Sequence, residues 1–196
     1  MDGPNGSRVF TDVLGGTFTA YGQAQLSTTQ SRFGGASAYF DGSGDYIQSE
    51  INPAFNFTDG HPFTLEAWVN GTGIIFSNDH WGIVLLIDST NGLRLSIAGV
   101  LPWTGVMNLV GHVPAGWHHV ALSYDSATYR IFVDGVLTFS AHGRMTNQTY
   151  HHLVIGSYSN GIQPFFKGFI DEFRLTRGVA LYTNSFTIPA SPFPNP

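Results

Sequence analysis

The sequence predicts an all-β protein built as one two-sheet antiparallel sandwich. Three observations carry this reading. Apolar and polar residues alternate with period two along many short stretches, and helical periodicity is nearly absent. Turn dipeptides fall between those stretches, including Asp59-Gly60, Asn91-Gly92 and Asp134-Gly135. The 196 residues include 24 glycines and 16 phenylalanines, a balance that favours turns and strands over helices. With 42% hydrophobic residues, the chain has the apolar material for one sizeable core.

The elements follow in order. Strands are expected at 18–26, 36–40 and 46–49, set apart by the glycines near Gly34 and Gly42, which read as tight turns. FTLEAWVN, at 63–70, alternates cleanly. Phe63, Leu65, Ala67 and Val69 share the face expected to meet the core, while Thr64, Glu66, Trp68 and Asn70 share the other. The strand at 82–88 holds the longest apolar run, Ile83 to Ile87, which is far too short to cross a membrane as a helix. Strands at 93–98 and 106–113 come next. In the strand at 117–124, His118, Val120, Leu122 and Tyr124 share one face, with Trp117, His119, Ala121 and Ser123 opposite. Strands at 129–133 and 136–140 flank Asp134-Gly135. This spacing predicts a type I′ hairpin, because both turn residues need positive φ. The last strands are 153–156 and 168–175.

This order divides the chain into an arm at 1–10, a sandwich at 11–186 and a tail at 187–196. Pro189, Pro192, Pro194 and Pro196 keep the tail out of any central strand and favour an extended path. Phe186, Ile188 and Phe193 are placed to pin that path to the body.

Composition excludes several functions. Charged residues are 11%, the net charge is −5 and Lys167 is the only lysine, so the basic footprint of a nucleic-acid binder is missing. The absence of cysteine removes disulfides, thiolate metal sites and cysteine nucleophiles. The opening MDGPNGSRVF has no apolar stretch of the kind a secretory leader needs. The sequons at Asn5, Asn56 and Asn147 then read as chance matches.

Four segments together resemble the concanavalin A-like jelly roll, in its laminin G-like and pentraxin-like branch. They are FGGASAYFDGSGDYIQ, FTLEAWVN, GWHHVALSYDSATYRIFVDGVLT and IGSYSNGIQPFFKGFIDEFRLTRGVALY. The stretch IDEFRLTRGVALYTNSFTIPASPFP looks most like the laminin G-like domains of bacteriophage structural proteins. The resemblance implies two antiparallel sheets, one of them concave, and a non-catalytic interaction role. It points to a virion component, either a capsid decoration (cement) protein or a tail or fibre module. The scarcity of charge adds the expectation of a homo-oligomer, with a trimer preferred, seated on other virion proteins by the arm or the tail. The alternative is a calcium-dependent, lectin-like carbohydrate-binding module, secreted or at a cell surface, a class that includes host-receptor recognition.

The chemistry-bearing residues fit binding better than turnover. Glycoside cleavage needs two carboxylates facing one sugar. Asp171 and Glu172 are neighbours, so on a regular strand they point to opposite faces, and Glu66 stands alone. His118-His119 and His151-His152 split across a sheet in the same way, against zinc. Calcium takes hard oxygen ligands. Asp41 and Asp45 in the turn DGSGD are candidates, joined by Asp171 if its strand lies beside that turn. Laminin G-like relatives imply the same cofactor. Trp81 and Trp103, with Asn78, Asp79 and His80, are candidates for stacking on and orienting a sugar.

Overall fold

The structure is a computed structural model and describes residues 2–78, 82–102, 104, 106–146, 148, 151–158 and 161–194. As the sequence predicts, it is nearly all β, with 48% strand and 2% helix. The helical part is one 3-10 turn, Pro53–Phe55. In chain order the strands are Phe10–Thr11 (β1), Thr17–Tyr21 (β2), Gln25–Ser27 (β3), Ser37–Asp41 (β4) and Tyr46–Ser49 (β5). Then come Phe63–Asn78 (β6), Ile83–Ile87 (β7), Gly92–Ile97 (β8), Asn108–His112 (β9) and His118–Tyr124 (β10). The last are Thr128–Val133 (β11), Val136–His142 (β12), Val154–Ile155 (β13) and Lys167–Arg177 (β14).

Every pairing between these strands is antiparallel. Sheet A runs β1-β2-β5-β13-β6-β7-β8-β9. Sheet B runs β3-β4-β14-β6-β10-β11-β12. β6 belongs to both sheets. Its first part, through Thr72, pairs with β14, and its last part, from Gly73, pairs with β7. Gly71 (φ 153°) and Gly73 (φ 114°) make the crossing, because a side chain there would collide with the backbone at Lys167 and Phe165. The strand thus runs eight residues past the Asn70 at which the sequence alternation ends it.

A second difference lies at 18–26. Gly22 (φ 62°) turns the chain, so β2 joins sheet A and β3 joins sheet B. The Asp134-Gly135 turn forms as predicted, with φ 49° and 76° and with Val133 paired to Val136.

The core lies between the sheets. Phe63, Leu65, Ala67 and Val69 of β6 and Val120, Leu122 and Tyr124 of β10 face inward, as the alternation requires. They meet Ile83, Leu85 and Ile87 of β7 and Leu93, Leu95 and Ile97 of β8. Fully burying one such aliphatic side chain contributes about 1.5–3 kcal/mol.

The arm is built into this body. Gly6 N donates to Leu26 O (2.8 Å) and Leu26 N to Ser7 O (2.7 Å), which adds a ladder along β3. Arg8 donates to the carbonyls of Gly22 and Ala20, and the Asp2 carboxylate accepts from Gly35 N.

Candidate functional site

The outer face of sheet B carries Thr64, Glu66 and Trp68 of β6, yet all three are buried. The chain itself covers them. Residues 181–193 run back over this face as a strap. Leu181 N donates to Thr64 Oγ1 (2.9 Å), Phe186 N to Gly135 O (2.8 Å) and Phe193 N to Glu172 Oε2 (2.6 Å). The rings of Tyr182 and Phe186 stack at 3.6 Å and pack edge-on against Phe132 and His119. Residues Gln30 to Phe33 cover the other end, with the Arg32 guanidinium 4.1 Å from the Trp68 ring and Asn70 donating to Gln30.

Under the strap lies one carboxylate with several donors. Glu66 Oε1 accepts from Arg174 Nε (2.9 Å) and Nη2 (2.7 Å). Its Oε2 accepts from the Tyr182 hydroxyl (2.8 Å) and from His119 Nε2 (3.1 Å). The side chains of Glu66 and His119 are fully buried. Burial alone would raise the Glu66 carboxyl. The bonds from His119, Arg174 and Tyr182 and the Arg174 charge outweigh it and hold the group below its ordinary value. Burial and the adjacent Glu66 charge push the Tyr182 phenol up. The Arg174 guanidinium also lies 4.0 Å from the Phe193 ring centre, so the charge network and the aromatic strap form one latch.

The strand register corrects one step of the sequence argument. β14 shifts register between Asp171 and Arg174, and Glu172 sits there at φ 49°. The bulge breaks the simple alternation. Asp171 Oδ2 accepts from Arg32 N (2.8 Å) and Phe33 N (3.1 Å), and Glu172 accepts from Phe193 N. Both acids therefore bond to segments that cover the outer face of sheet B, the face that also carries Glu66. The three carboxylates share a side, but each holds a covering segment in place.

Of the expected calcium ligands, Asp41 and Asp45 sit together in the DGSGD turn and Asp171 lies apart from them. β14 does pair with β4, but Lys167 lies opposite Asp41, so Asp171 is four residues further along, roughly 13 Å. Asp45 is buried and accepts from Gln23 N and Asp41 N (2.8 Å), while Asp41 accepts from Ser43 N (2.6 Å). Among the described residues no group of three or more His, Asp or Glu side chains is arranged to hold a metal. Of the expected sugar contacts, Asn78 is fully buried. Its Oδ1 accepts from Ile83 N (2.9 Å) and its Nδ2 donates to Phe55 O (3.2 Å), so it fastens the start of β7. Trp81, Trp103, Asp79 and His80 include no described position: all four lie outside the described residues. His118 and His119 split across the sheet as expected, with His118 Nδ1 2.6 Å from Asp134 Oδ2.

Sheet A offers a different surface. Phe18, Ala20 and Ile47 face the core, so Thr19, Tyr21, Tyr46 and Gln48 face outward. Thr19 lies opposite Gln48, and Tyr21 opposite Tyr46. Thr19, Tyr21 and Gln48, with Ser49, Glu50, Ile51 and His152, line a cleft of about 340 Å³. Tyr21 is 39% exposed, and its ring stacks on Tyr46 at 4.3 Å and 7°. The sequence reading missed this cleft. Its signal was present in the alternate residues of TFTAY and YIQSE, but only the pairing of β2 with β5 joins them.

The comparisons agree with this architecture. Domain 4 of a GH43 extracellular arabinanase from Geobacillus stearothermophilus, solved with arabinotriose, is 18% identical with a TM-score of 0.59, over 85% of this chain and 84% of that one. A Trypanosoma rangeli sialidase is 16% identical with a TM-score of 0.63, over 92% of this chain but only 30% of that one. The binding domain of botulinum neurotoxin serotype D is 12% identical with a TM-score of 0.59, over 86% of this chain and 44% of that one. At these identities the likeness is one of fold. None of the curated proteins compared matches the chain. A laminin G family model, described as the concanavalin A-like lectin/glucanases superfamily, matches residues 41–181. With the jelly-roll sheets in place around that span, the chain belongs to the concanavalin A-like lectin/glucanases superfamily.

Proposed function

We propose that the protein is a non-catalytic carbohydrate-binding module. The observation that carries this is the state of its buried acid. A glycosidase carboxylate must reach its sugar. Glu66 instead holds Arg174, His119 and Tyr182 beneath the protein's own strap. Asp171 and Glu172 are tied to covering segments in the same way. The superfamily includes lectins, and the arabinanase domain was solved with arabinotriose, which support a sugar as the ligand. Binding of the whole chain to an immobilised glycan panel tests this. Retention of a defined subset, with no change in those glycans after long incubation, is the expected result. Cleavage of a retained glycan, or retention of none, overturns it.

The setting we propose is the surface of a bacteriophage particle, as a head decoration protein or a tail or fibre module. The support is the likeness of the stretch from Ile170 to Pro194 to phage structural proteins, and in this chain that stretch folds as one piece, strand then strap. Mass spectrometry and antibody labelling of purified particles check it. Absence of the chain from particles made by cells that express it rejects this setting without touching the sugar reading.

A further inference from the structure

We infer that the cleft between β2 and β5 on sheet A is the sugar subsite, and that it takes a neutral or amino sugar, not an anionic one. The inference rests on the carbohydrate-binding reading and assigns it a place and a ligand class.

The geometry supplies what a sugar ring needs. A pyranose or furanose has one face of C–H groups and a rim of hydroxyls. The first packs on an aromatic ring, and the second pairs with side chains that both donate and accept. Tyr21 provides the ring. It is exposed yet held, because Tyr46 stacks behind it at 4.3 Å. A fixed ring loses little freedom on binding.

The rim comes from Thr19, Gln48 and Glu50. Thr19 and Gln48 are a direct cross-strand pair, and Glu50 follows β5 immediately. Among the described residues none of these three side chains bonds to another side chain or to the backbone. Among the described residues a hydroxyl, an amide and a carboxylate thus stand together without a protein partner, next to an aromatic wall. Asp12, Asp88 and Asp125, by contrast, each cap their own turn. Ile51, 68% exposed, gives the cleft an apolar lip.

Size and charge set the class. About 340 Å³ is at the small end of ligand pockets, which run roughly 300–1,000 Å³. It suits a terminal sugar unit and not a long groove. Among the described residues the cleft is lined by one acid, Glu50, and one histidine, His152, and by no Lys or Arg. Recognition of a sugar carboxylate or sulfate uses Arg or Lys. Here such a group would meet Glu50, whereas a hydroxyl would donate to it and an ammonium would pair with it.

Titration of the intact chain with methyl glycosides of arabinose, glucose and galactose, with glucosamine and with N-acetylneuraminic acid, followed by amide chemical shifts, decides this. At least one neutral or amino sugar is expected to bind, with shifts centred on Thr19, Tyr21 and Gln48. Tyr21→Ala and Gln48→Ala should each weaken binding tenfold or more while leaving the rest of the spectrum in place. Glu50→Gln should reduce any preference for glucosamine. Sugar binding that both alanine variants leave within twofold overturns the assignment of the cleft but keeps the carbohydrate reading. Preferred binding of N-acetylneuraminic acid overturns the ligand class. No binding of any sugar by the wild-type chain overturns this inference, and if the glycan panel is also blank the broader reading falls with it.

Discussion

Removing one oxygen tests the latch most cleanly. Tyr182→Phe deletes the hydroxyl that donates to Glu66 Oε2 at 2.8 Å but keeps the ring that stacks on Phe186. Glu66 is fully buried, so no water replaces the lost donor at once. A hydrogen bond to a charged group is worth roughly 1.5–3 kcal/mol. For a chain of 150–250 residues each kcal/mol moves Tm by about 2–4 °C. The variant should therefore melt about 3–12 °C lower, read by differential scanning calorimetry at pH 7. Ser185→Ala serves as the control. It removes a bond from Leu137 N at the exposed edge of the same strap, where water takes over, and it should stay within about 0.5 kcal/mol of wild type. If Tyr182→Phe melts with wild type while Ser185→Ala does not, the strap is held by its edge and the buried network is idle.

Three other outcomes follow from the same structure. Glu66 has a lowered carboxyl pKa, so its stabilisation is fully present above the unfolded value of 4.5 and is lost as pH falls through the folded value; Tm should be flat down to about pH 5 and fall below it, and Glu66→Gln, less stable at pH 7, should flatten that acid limb. Gly73→Ala places a methyl against the Phe165 backbone at φ 114°, whereas Gly44→Ala, at φ 77°, meets nothing within 4 Å; the second should cost the left-handed penalty of about 1–2 kcal/mol and the first distinctly more, compared by urea midpoints. At the DGSGD turn both oxygens of Asp45 already accept backbone N–H groups, so a chelator should leave the melting curve unchanged, whereas a Tm rise in millimolar calcium would identify Asp41 and Asp45 as its ligands.

The sandwich was legible because alternation reports which face is buried, and Phe63, Leu65, Ala67 and Val69 needed nothing else. The Asp134-Gly135 turn was legible because its dihedrals are a property of those two residues. Three things were hidden, each for a physical reason. The sequence alternation ends at Asn70, but Gly71 and Gly73 carry β6 across a close backbone contact that only the fold creates. The bulge at Glu172 placed two neighbouring acids toward covering segments, against strict alternation. The cleft joins Thr19 to Gln48 and Tyr21 to Tyr46 across more than twenty residues, and no local pattern encodes that register. Of the expected site residues, Asn78 proved to be a fastening for β7, as buried amides usually are when their bonds are all internal.

The scarcity of lysine takes on a different meaning once the ends are seen in place. Exposed sheet edges invite pairing, and lysine is one of the common guards. A chain with one lysine would then need neighbours, which is why an oligomer was expected from composition. The protein guards its edges with its own ends instead. Gly6 and Ser7 extend along β3, Arg8 ties the arm to the turn after β2, and the strap bonds to Gly135 just before β12 and to Leu137 within it. On the far side β9 packs against β11 and β12 and closes the gap between the sheets. The β3 edge and the start of β12 are thus covered from within the chain. The tail, expected to seat the protein on a partner, is engaged with Glu172 and Arg174 through Phe193, and the part of the strap before it with Glu66 through Tyr182. Truncation before Tyr182 should accordingly uncover a buried carboxylate and a row of rings, and lower the stability of the sandwich itself. An untouched Tm in that truncation would return the tail to the role of a docking arm.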